Sequence, residues 1–121
     1  MAGNVKSAWK PYFQDERKTR LTRAYYYSMV QLFDEQLGII LDAVDQLNLR
    51  ENTLIIVTSD HGEMLGDHYS YGKRTFYEAS ARIPLILSWP AALPQGERRD
   101  HLALLEDIYA TLIAAAGGTA P

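Results

Sequence analysis

The chain has 121 residues, 47% of them apolar and 22% charged, with a formal net charge of −3. That balance fits one small globular domain rather than a disordered tail, and an acidic chain without a basic stripe is not a general nucleic-acid binder. No cysteine is present, which excludes disulfides and thiolate metal sites, and no apolar run approaches the roughly 20 residues needed to span a bilayer.

Residues 1–17 read as a polar, irregular segment, and residues 18–121 as the folded part. From Thr19 the pattern becomes periodic. Leu21, Tyr25, Met29, Leu32, Leu37, Ile40, Val44 and Leu47 recur at three- to five-residue steps, which predicts a long amphipathic helix ending near Asn48. "LRENT" is a turn. Leu54 to Val57 is a short apolar run with β-branched residues, as expected of a strand buried on both faces. Asp60 to Ala81 has no clear period and carries Gly62, Gly66 and Gly72, so it reads as a long functional loop with a helical turn or two. "IPLILSW" is a second buried-strand candidate. Leu102 to Ala116 returns to helical spacing and stops at Gly117 and Gly118. Alternating helices and buried strands predict an α/β fold with a mostly parallel sheet and flanking helices. Ligands of such sheets sit beyond the carboxyl ends of the strands.

"TSDHGEMLGDHYSYGK" lies at such an end. A carboxylate oxygen and a neutral imidazole nitrogen both ligate divalent cations, so Asp60 and His61 can share one ion if the backbone turns at Gly62. An isolated Asp-His pair is explained equally well by a turn cap and a local hydrogen bond; its place after a buried strand favours the metal. Lys73 can fold back to an anionic substrate oxygen, with Arg74 as its competitor, although surface lysines are commonly just solvated. His68 can touch substrate or donate a proton, or it can be an exposed loop histidine. Glu63 and Asp67 read as local caps or pairs, Glu78 and Arg82 as a helical ion pair. His101 reads as structural or exposed, and the Tyr25–Tyr26–Tyr27 run as packing.

The stretch "YYYSMVQLFDEQLGIILDAVDQLNLRENTLIIVTSDHGEMLGDHYSYGKRTFYEASARIPLIL" resembles the C-terminal part of the sulfatase catalytic domain, in the alkaline phosphatase superfamily. "TSDHGE" recurs across that superfamily; its combination with "LGDH", "GK", "FYE" and "SARIPLI" is more specific. The resemblance implies that Asp60 and His61 are metal ligands and that Lys73 contacts the sulfate oxygens, and it transfers no role to His68. It implies one divalent cation, calcium in sulfatases and often manganese in phosphonate hydrolases. It also implies a formylglycine nucleophile made from a C/S-x-P-x-R motif, which no residue here fits; "SWPAA" at Ser88 lacks the arginine. The expected reading is therefore a fragment of a sulfuric ester hydrolase. It would act on a sulfate ester together with the remainder of the catalytic domain, and would be inactive alone. An uncovered strand edge and apolar face would favour self-association. The alternatives are a segment of a phosphonate or phosphodiester hydrolase, or a non-catalytic α/β binding module.

Overall fold

A computed structural model describes residues 15–119, so the irregular segment expected over 1–17 lies almost wholly outside the described residues. The first element is a helix, α1, from Glu16 to Gln46. Asp15 caps it, its carboxylate accepting from the Lys18 amide at 3.1 Å, which satisfies one of the otherwise orphaned first-turn N–H groups. Asn48 ends it by taking a left-handed φ of 56°, so that the Leu49 amide reaches back to the Val44 carbonyl at 2.9 Å. The Arg50 guanidinium then grips Asp45 through two bonds of 2.7 and 2.8 Å. That grip fixes the angle at which the chain leaves the helix, through a short 3-10 turn over Arg50–Asn52.

Strand β1 follows at Ile55–Thr58 and strand β2 at Leu85–Ser88. They pair antiparallel, Ile55 opposite Ser88 and Thr58 opposite Leu85. The α/β class stands, but this pair runs opposite to the parallel arrangement expected from the order of elements. A parallel return needs a crossover, usually a full helix, to carry the chain back to the starting end. Between these strands lie only a 3-10 turn at Asp67–Tyr69 and one helical turn, α2, at Glu78–Ala81. The chain therefore re-enters the sheet at the end it left, where the Thr58 hydroxyl donates to the Pro84 carbonyl at 2.8 Å. The last helix, α3, spans Leu105–Ala115. The Asp107 carboxylate receives the Leu104 amide at its start, at 2.8 Å.

The strands are less buried than their apolar sequences suggested. Every position of β1 is only half-buried, and Leu85, Ile86 and Leu87 of β2 are exposed. The substantial packing of element on element among the described residues is β1 against β2, with no third layer closing over them. Helix α1 likewise has no buried residue, and Leu21, Leu32, Phe33 and Ile40 on it are all exposed. The tightest burial belongs instead to the loop: Met64 is fully enclosed and Ser80 nearly so. No helix is long and apolar enough to cross a membrane among the described residues.

Candidate functional site

The loop leaves β1 at Ser59, whose hydroxyl donates to the His61 carbonyl at 2.7 Å and turns the chain at once. Gly62 then runs flush against α2. Its amide donates to the Ser80 carbonyl at 2.8 Å, and a Cβ at this position would lie 2.1 Å from the Ala79 carbonyl oxygen. Only glycine lets the two backbones approach so closely. This contact anchors Asp60 and His61 between the strand behind them and the helical turn beside them.

Both side chains turn toward one point. His61 Nε2 lies 3.4 Å from Asp60 Oδ2. The other ring nitrogen, Nδ1, sits 2.6 Å from the Gly62 carbonyl oxygen. A carbonyl can only accept, so Nδ1 carries the proton and, in the neutral ring, Nε2 presents its lone pair to the carboxylate. Two potential ligand atoms at this separation suit a shared cation, and a carbonyl fixing the far side of a histidine ring is how ligating imidazoles are oriented. The spacing also fits. Two donors about 2.4 Å from one hard cation, at right angles, stand about 3.4 Å apart. Among the described residues no third His, Asp or Glu joins them. Two ligands are far short of the six to eight oxygens that calcium takes.

The third group, Lys73, is brought back by the loop itself. Its Nζ lies 3.7 Å from the same Asp60 oxygen. Both cationic and acidic groups are substantially exposed there, so the pair is open to an incoming anion. The loop reaches this position through several left-handed residues: Leu65, His68 and Tyr69 all have φ near +50°. Such conformations cost about 1 kcal/mol or more each outside glycine, and a mesh of short bonds offsets that cost. The Gly66 amide meets the Ser70 carbonyl at 2.8 Å, and the Ser70 amide meets the Asp67 carbonyl at 3.0 Å. Met64 fills the space inside, and the Thr75 hydroxyl lies 3.3 Å from its sulfur.

Helix α1 holds the outer side of the loop. Arg23 donates through Nε to the Leu65 carbonyl at 2.8 Å and through its terminal nitrogen to Asp67 at 2.9 Å. The Thr19 and Tyr71 hydroxyls meet at 2.7 Å. Asp67 is thus tied to a distant helix rather than capping locally, whereas Glu63 does accept nearby amides, those of Leu65 and Gly72. His68 is exposed and stacks on Tyr77, ring centroids 3.8 Å apart and planes within 11°. Arg74 is exposed; the cation beside Asp60 is Lys73. Glu78 and Arg82 form the expected helical pair at 3.8 Å, fully at the surface, and His101 is exposed. Arg23 and Thr19 escaped the sequence reading because they sit on an ordinary helical repeat, and nothing local marks a partner more than forty residues away.

The chain is similar to several known proteins. The sulfatase family model matches residues 5–118. Arylsulfatase K of Canis lupus familiaris is 39% identical over 106 residues, 88% of this chain and 20% of that protein. Choline-sulfatase of Rhizobium meliloti is 35% identical over 79 residues, covering 65% of this chain and 15% of its own length. The solved structure of BT4656 in complex with its substrate D-glucosamine-2-N,6-O-disulfate superposes with a TM-score of 0.73 at 34% identity, over 76% of this chain and 19% of that one. The chain spans about a fifth of the length of these relatives. With the family model covering nearly all of it, the chain belongs to the sulfatase family.

Proposed function

We propose that this chain contributes part of a sulfate-ester hydrolase active site, in which Asp60 and His61 hold a divalent cation and Lys73 binds a sulfate oxygen. The observation that carries the reading is the convergence of His61 Nε2 and Lys73 Nζ on one carboxylate oxygen, at 3.4 and 3.7 Å. The family resemblance favours calcium as that cation, with manganese the alternative, and a histidine ligand suits either. When bound, such a cation supplies electrostatic stabilisation to anionic oxygens at the reaction centre.

The chain's own residues do the rest. Asp60 and His61 fix where positive charge gathers, and the Gly62 carbonyl keeps the imidazole turned toward that point. Lys73 contributes a point charge on a flexible stem, suited to holding an oxygen of a tetrahedral anion as negative charge builds on it. Its present partner is Asp60, and an anionic ester would compete for it. The nucleophile implied by the resemblance is carried by none of these 121 residues, since no serine begins a C/S-x-P-x-R motif. We therefore assign these residues to binding and charge stabilisation and leave bond making to the rest of a complete catalytic domain.

Activity of a full-length sulfatase carrying this segment tests the reading. Asp60→Ala and Lys73→Ala should each lower hydrolysis of an aryl sulfate by about 10²-fold or more. Undiminished turnover in either variant overturns that residue's assignment.

A further inference from the structure

We propose that Glu63 is the positioning residue for Lys73: its carboxylate clasps the far end of the loop and so sets the lysine ammonium against Asp60. Glu63 Oε1 accepts the Gly72 amide at 2.6 Å and the Leu65 amide at 3.3 Å. The next residue returns the contact, the Met64 amide donating to the Gly72 carbonyl at 3.1 Å. Gly72 is thus held on both its N–H and its C=O. Its φ of 81° is a left-handed conformation that turns the chain there. Lys73 is the next residue, and Asp60 stands three positions before Glu63.

The links form one closed circuit. Covalent chain runs from Asp60 to Glu63, the clasp joins Glu63 to Gly72, and the ammonium of Lys73 completes the ring on Asp60. Eight residues lie between Glu63 and Gly72, and without the clasp the Met64–Gly72 backbone bond alone ties the two ends directly, which leaves Lys73 more positions to sample. The bond to the Gly72 amide is short and partly shielded from water, so what it needs is an acceptor oxygen at that reach. Glu63 touches neither Lys73 nor the proposed cation point; it acts through the backbone on which Lys73 sits. The inference deepens the proposed function and rests on it only in giving Lys73 a task.

Its test reads geometry rather than turnover. A carbodiimide joins a lysine and a carboxylate that are in reach, and peptide mass spectrometry gives the yield of the Lys73–Asp60 link. Glu63→Gln keeps an acceptor oxygen at the same reach; Glu63→Asp keeps the charge but draws it back by one carbon. Acting as a clasp, Glu63 should leave the Gln variant within about twofold of the parent yield and cost the Asp variant about fivefold or more, alongside faster hydrogen exchange at the Gly72 amide. Circular dichroism confirms that each variant is folded. The reverse order, Asp retaining the link and Gln losing it, would assign Glu63 a charge role and overturn the proposal, as would unchanged yields in both. These outcomes do not depend on whether Lys73 binds sulfate, which the activity of the Lys73→Ala variant decides separately.

Discussion

The loop from Ser59 to Arg82 and the helix α1 are built on opposite plans. The helix is regular, capped at its start by Asp15, and closed at its end by a left-handed asparagine, yet it buries no side chain. The loop is irregular and contains strained backbone, yet it holds the enclosed Met64 and Ser80 and the densest set of short polar contacts. Helices draw most of their stability from packing an amphipathic face, so α1 waits on whatever covers it. The loop keeps Asp60, His61 and Lys73 together through its own bonds and through the Arg23 and Thr19 contacts that α1 lends it.

That contrast breaks most sharply at Gly62. Replacing it with alanine drives a Cβ onto the Ala79 carbonyl, backbone that cannot swing aside. Gly62→Ala should cost about 3 kcal/mol in urea unfolding and displace His61 in amide chemical shifts. A helical glycine offers the control, since a Cβ at Gly38 meets nothing within 4 Å.

A smaller effect belongs to the helix end. The Arg50 hydrogen bond holds the Asp45 carboxyl below the usual carboxylate range, and Asp45 raises Arg50 in return. A lowered folded value means that the pair's stabilisation is complete above the unfolded carboxylate range near pH 4 and fades as pH falls through the lowered one. The pair is solvent-exposed, so only a slight loss of thermal stability should follow acidification. Asp45→Asn should remove that acid dependence while leaving the Asp60 neighbourhood unchanged in spectra.

Much of this was legible in the sequence where a local rule operates. The repeat from Leu21 to Leu47 marked α1, and the abrupt change from "TLIIV" to Asp60 marked a strand end. Burial was overread, because a run such as "LILS" looks the same whether its cover lies in this chain or beyond it. The antiparallel sense of the β1–β2 pair was not legible, because an apolar run carries no direction and the deciding fact is the absence of a crossover helix between these two strands. Lys73 stood out as a lysine in a glycine-punctuated loop, with Arg74 its equal competitor, since nothing in the spacing says which of the two returns to Asp60. Glu63 was legible as a local cap or pair, though not Gly72 as its partner; the Arg23 strut was invisible because its partners lie more than forty residues away.

We propose that Asp60 and His61 grip a cation beside Lys73. Titrating trace manganese into the isotope-labelled chain tests it, because a bound paramagnetic ion broadens the amide signals nearest to it. The account predicts that signals from Asp60 to Gly62 and at Lys73 fade first, and that Asp60→Ala abolishes the effect. First fading at Asp34, Glu35 or Asp42 on the helix, with residues 60–73 still sharp, would contradict it.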